Sequence, residues 1–305
     1  MRHKWILLFV GLLIAACTAP MRGMVLRDRS PEPTVEITVL PSISPVPTLA
    51  PTPSPIASSV PSATALPTPE VSARAEILVP QPEPLLDMNL YREGAFIRQQ
   101  TNYWCVSASV QIMINMIKTA DPVDVTKETQ KAISKIAWGN VAYKEYDGVT
   151  FKQSRYGSDP QGWVAALEKF GGGDYEWVNS KSFNAAVKSA VKAMAVTGRP
   201  VGLVVMGGKH AWVLNGFVAR ADPAKTNEFE VLELYVTAPG YGLISYDSGI
   251  PYNTKLSLEQ FKNFLTRYGK HSYLKPYTEG EKTLYEKNYY NSIWTGFYVT
   301  IQPVQ

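Results

Sequence analysis

Apolar residues recur at helical spacing from Cys105 onward: Val106, Val110, Met113, Ile114 and Ile117 share one face and predict a helix that Cys105 opens. A second helix is expected across Val125 to Ile136. A third carries its own punctuation, with Asp159 as N-cap, Pro160 at the first position and Gly171 after the last turn. A fourth runs from about Phe183 to Val196 and stops before Gly198 and Pro200. The pattern then changes. Val201 to Met206, His210 to Arg220 and Phe229 to Thr237 read as strands, and Ala221 to Glu228 supplies turn chemistry between an antiparallel pair. A short helix over Leu258 to Tyr268 follows Ser257, and a strand around Trp294 to Ile301 closes the chain. Helices first and antiparallel strands afterwards predict an α+β domain in two halves.

That domain is expected over residues 86–305, because the chain before it has little to fold with. Residues 1–16 read as a signal peptide: Arg2 and Lys4 start it, Trp5 to Ile14 are apolar, and Ala15 and Ala16 are small. The apolar stretch falls short of the roughly 20 residues a spanning helix needs. Ile14-Ala-Ala-Cys17 resembles the bacterial lipobox, which implies acylation of Cys17 and a chain anchored to the outer face of the cell membrane. Without that lipid the protein would be secreted. Residues 17–85 form a linker rich in Pro, Ser and Thr, too poor in apolar groups to offset its ordering entropy. Its proline-rich centre of roughly forty residues would extend about 120 Å as polyproline II.

Composition adds two constraints. The formal charge is +4, and +2 once Arg2 and Lys4 leave with the leader, too small a surplus for nucleic acid to be the partner. No Cys, His and carboxylate cluster has metal-ligand spacing, and no cofactor is expected; Gly171-Gly-Gly173 reads as a helix stop, since no Lys-Ser/Thr follows. Of the 2 cysteines, lipidation of Cys17 would leave Cys105 as the one thiol. A lone thiol in an oxidising compartment is either a small buried hydrophobe or a used nucleophile.

A thiol nucleophile needs a base, an oxyanion donor and a group that orients the imidazole. The helix dipole at Cys105 favours a thiolate by roughly 0.3–1 kcal/mol, less than one pKa unit. Histidine-paired catalytic thiols titrate several units below a free one, so an imidazole must supply the rest. Of the 3 histidines, His3 lies in the leader and His271, in Gly269-Lys-His-Ser-Tyr273, reads as a surface loop. His210 opens an apolar strand after Gly207-Gly-Lys209 and is the candidate base.

Gln99-Gln-Thr-Asn-Tyr-Trp-Cys105-Val-Ser-Ala-Ser109 resembles the nucleophile segment of papain-fold cysteine peptidases, in particular the bacteriocin-leader-processing (double-glycine) peptidase-like family. Gly208-Lys-His-Ala-Trp-Val-Leu-Asn-Gly216 resembles that family's histidine motif. The resemblance implies a papain-like fold with the Cys helix in an N-terminal helical half and the His in a C-terminal sheet half. It implies that Gln99, with Gln100 in reserve, forms the oxyanion hole with the Cys105 N–H. It places the orienting Asp or Asn at Ala238, which has no side-chain acceptor; Thr237 points the other way, and Asp247 and Asn253 lie nearby in sequence. The implied activity is hydrolysis of peptide or amide bonds in a peptide or protein substrate. A catalytically inactive binding module and a thiol acyltransferase are the alternatives. Oligomeric state is not legible in the sequence.

Overall fold

The computed structural model describes residues 85–305. The signal peptide, Cys17 and the Pro-rich linker expected before them lie outside the described residues.

In chain order the elements are β1 (Leu85–Asn89), α1 (Cys105–Ile117), α2 (Lys127–Gly139), β2 (Glu145–Tyr146), β3 (Val149–Thr150), α3 (Gln153–Tyr156), α4 (Pro160–Lys169), β4 (Tyr175–Ser180) and α5 (Phe183–Thr197). There follow β5 (Val201–Val205), β6 (His210–Arg220), β7 (Glu230–Thr237), β8 (Thr254–Ser257), α6 (Leu258–Lys262), β9 (His271–Glu279), β10 (Lys282–Tyr290) and β11 (Tyr298–Pro303). Seven strands form one antiparallel sheet: six in the order β4-β11-β5-β6-β7-β8, and β1 off that path beside β6. The long strand β6 pairs along one edge first with β5, through His210 to Leu214, and then with β1, through Gly216 to Arg220.

The sheet is covered on both faces, and the two-residue alternation of β6 shows how. Trp212 and Leu214 join α5 and α6 in one core with Phe183, Val187, Met194 and Phe261. Ala211 and Val213 join α1, α2 and α4 in the other, with Val106, Val110, Met113, Ile133 and Trp163. The helices start where their caps say they should. The Asp159 side chain accepts from Gly162 N–H with Pro160 next in the chain, Ser182 accepts from Ala185 N–H, and Ser257 and Gln260 form a reciprocal capping box. Gly198 in the left-handed conformation ends α5.

The fold is therefore mixed helix and antiparallel sheet, and the expected division into a helical and a sheet half holds in part. β1 and β4, from the first half of the domain, are sheet strands, and α5 and α6 pack on that sheet. The helix expected from Leu258 to Tyr268 stops at Lys262. The segment after Tyr268, read as a loop, is the β9–β10 hairpin, with His271 paired to Tyr290 at its base.

Candidate active site

Cys105 is the first residue of α1, where three features leave its surroundings open. Trp104 makes no side-chain cap, the first turn holds no acidic residue, and the thiol is free and half-buried. The first-turn N–H groups thus point at the sulfur's side of the helix without a competing acceptor. His210 is the first residue of β6, preceded by a tight turn in which Met206, Gly207 and Gly208 all have positive φ. Both side chains line one cleft of about 240 Å³. The thiol is close enough to the ring to count, by hydrogen bonding and by charge, among the groups that raise the imidazole pKa.

Behind the ring stands Asp247. His210 Nε2 lies 2.7 Å from Asp247 Oδ2, which leaves Nδ1 as the nitrogen available to the thiol. The carboxylate is fully buried, at 0% exposure, and is held by two further donors. Trp212 Nε1 donates to Oδ1 at 3.0 Å and the Gly240 N–H donates to Oδ2 at 3.0 Å. His210 and Trp212 reach the same carboxylate because residues two apart on a strand share a face. Asp247 reaches them because the chain turns back after β7: Tyr241 N–H bonds Ala238 O, Ile244 N–H bonds Gly240 O, and a 3₁₀ turn over Ser245–Asp247 follows. Gly240 has to be glycine, since a Cβ there would collide with Asp247 Oδ2.

The electrostatics follow. Burial pushes the His210 pKa down, but the hydrogen bond to Asp247 and the proximity of Cys105 push it up further, and the balance raises it to about 9. The ring is a cation at neutral pH, which is what a neighbouring thiolate requires. Tyr246 packs against the imidazole in a T-shaped arrangement, with ring centroids 5.3 Å apart.

The orienting place expected at Ala238 is thus taken by Asp247, nine residues further on. Ala238 itself is buried apolar core. Thr237 does point away, its hydroxyl donating to Asn215 Oδ1 and accepting from Asn253 N–H, so Asn253 belongs to that network and not to the histidine. The two glutamines are less well placed than the resemblance implies. Gln99 is buried, and its Nε2 donates to Thr101 O at 2.7 Å while its Oε1 has no partner. One N–H of that amide remains unused, and the Gln99 backbone is tied to Pro239, beside the Asp247 loop. Gln100 bonds Gln130 and Arg98 instead. Neither amide lines the cleft. His271, read as a surface residue, lines it with Asp159, Trp163 and Tyr268.

Among the described residues no group of His, Cys, Asp and Glu is arranged to hold a metal ion. No family model matches the chain. No curated protein matches it. Among solved structures it is similar to UfSP from C. elegans, with 12% identity and a TM-score of 0.38. That likeness covers 75% of this chain and 36% of the other, so the chain spans about a third of the structure it matches. A likeness that loose decides neither fold nor function, and the chain's chemistry has to be read from its own residues.

Proposed function

We propose that the chain is a papain-like cysteine peptidase, a thiol hydrolase of peptide or amide bonds, carried on the outer face of the cell membrane by a lipid on Cys17. The observation that supports this most is the buried Asp247 on the far nitrogen of His210, in the cleft that the Cys105 thiol lines from a helix start.

Cys105 Sγ, ionised beside the His210 imidazolium, attacks the carbonyl carbon of the scissile bond. The oxyanion meets the Cys105 N–H and the unused N–H of Gln99. His210 Nδ1 gives its proton to the leaving amine, and a thioester on Cys105 remains. A water then attacks the thioester, His210 Nδ1 takes its proton, and the acid product leaves with the thiol–imidazole pair restored. Asp247 stays ionised throughout, holding the ring by Nε2 and balancing its charge. Gln99 reaches the oxyanion as its amide turns from Thr101 O toward the cleft.

The alternative, a catalytically inactive binding module suggested by the apolar Ala238, predicts an unreactive Cys105 thiol at neutral pH. The test is cleavage of a mixed peptide library by wild type, Cys105→Ala and His210→Ala proteins. Cleavage in wild type and none in either variant supports the proposal. Equal cleavage by Cys105→Ala ends it.

A further inference from the structure

Beside the cleft that holds Cys105 and His210 lies a smaller chamber of about 50 Å³, large enough for a few waters or one planar cation. The two share Asp159, Tyr268 and His271 as walls. The rest of the chamber is mostly aromatic, with Trp138, Tyr143 and Tyr290 among its rings. Tyr146 stacks on Tyr290 from outside at 4.8 Å and Phe151 at 5.6 Å, so the wall is braced by the β2–β3 hairpin and the strand that follows.

The polar groups of this chamber are short of a partner. Asp159 caps α4 through Gly162 N–H on Oδ1 and accepts Ala142 N–H on Oδ2, with the Gln161 and Tyr143 N–H groups also favouring its charge, yet among the described residues no side-chain cation pairs with it. Its burial pushes the carboxyl pKa up, as expected for a charge lacking compensation. His271 Nε2 is buried and has no hydrogen-bond partner. Burial, and then Lys209, push that ring toward its neutral form, which can present Nε2 as an acceptor. Trp294 contributes its ring rather than its N–H, which is donor-only; the ring is set near-perpendicular to those of Tyr143 and Trp177.

Two acceptors, a carboxylate without a counter-ion and aromatic faces make a place for a donor-rich cation, since ring faces attract ammonium and guanidinium groups. Resting on the peptidase reading, we propose that the chamber is a specificity pocket that takes the cationic end of a lysine or arginine side chain next to the scissile bond. Asp159 and His271 accept its N–H groups, and the aromatic wall that Tyr290 braces through its stacking on His271 and Phe151 surrounds it. Lys209 and Arg155, both exposed, stand on the wall of the outer cleft, and a pocket ruled by them would select acidic side chains instead.

Alkylation of Cys105 by matched haloacetamides separates these outcomes and needs no known substrate. Four probes are compared: iodoacetamide itself, and analogues carrying a guanidinium, a butyl or a carboxylate group on the same spacer. The expected result is labelling about tenfold faster by the guanidinium probe than by the butyl probe. That ratio, in which any general change in thiol reactivity cancels, should fall toward one in Asp159→Asn and fall severalfold in Tyr290→Leu. The second variant leaves the α4 cap in place if the first fails to fold. Fast labelling by iodoacetamide with equal guanidinium and butyl rates, or with the carboxylate probe fastest, overturns the pocket and leaves the peptidase standing. Slow labelling by iodoacetamide itself overturns the peptidase reading and this proposal with it.

Discussion

Asp247→Asn is the perturbation on which the account of the thiol can be worked through most fully. The carboxylate accepts from three donors: His210 Nε2, Trp212 Nε1 and the Gly240 N–H. An asparagine has one acceptor oxygen and one donor nitrogen to put in the same places. If the oxygen stays with His210 and Gly240, the new NH2 faces the Trp212 N–H; if it stays with Trp212, the NH2 faces the Gly240 N–H. Either way one buried donor is orphaned, at a cost of about 1–3 kcal/mol. The larger effect is on the ring. His210 keeps its burial, which lowers its pKa, and loses the anion that is the first of the influences raising it. The His210 pKa should therefore fall from about 9 toward the ordinary imidazole range, with Cys105 alone left to raise it, a loss of cation preference on the order of a few kcal/mol. The assay is the rate of iodoacetamide alkylation against pH. Wild type should label at neutral pH several times faster than Asp247→Asn, whose rate should climb only as a free thiol's does, toward about pH 8.5. Coincident profiles for the two proteins, with the variant shown folded by circular dichroism, would refute the reasoning.

Three further outcomes follow from the same geometry. Trp212→Phe deletes one donor to Asp247 and should lower stability by about 1–3 kcal/mol in urea titrations, with a smaller loss of labelling rate than Asp247→Asn; an unchanged urea midpoint would contradict it. The raised His210 pKa contributes stability that is full below about pH 6.5 and is lost as pH rises through about 9. The urea midpoint of wild type should therefore fall across that window, and the fall should be absent in Asp247→Asn. Gly208 has φ +89°, and a Cβ there would sit 2.7 Å from the Tyr268 ring, so Gly208→Ala should cost about 1–3 kcal/mol and slow labelling at the adjoining His210. Thermal melts that match wild type would argue against that strain.

The legible parts of this chain were those where one local signal decides the structure. The apolar stripe after Cys105 gave α1, and Asp159, Pro160 and Gly171 bracketed α4, whose cap is formed as expected. His210 to Arg220 is strand over its whole expected length. The β9–β10 hairpin was missed because most of it is exposed and mixed in polarity, with Pro276 inside a strand, so neither period stands out. Asp247 was only one of two nearby candidates because its position depends on a loop. The chain leaves β7, turns at Gly240 and returns, and no periodicity reports where such an excursion ends. The usable signal was Pro239-Gly240, a turn dipeptide after the strand next to the histidine's, with Asp247 the first carboxylate beyond it. The glutamines show the reverse limit: spacing put Gln99 at the right distance in sequence, while the direction of its amide is set by Thr101 O.

The most direct test of the central claim is to catch the thioester. Wild-type protein is mixed with an activated peptide ester, quenched in acid within one turnover, and its intact mass and peptide map are read. The account predicts one acyl group on Cys105, which water discharges on longer incubation and which Cys105→Ala never acquires. Ester turnover that proceeds undiminished in Cys105→Ala, or an acyl group found on another residue, would contradict it.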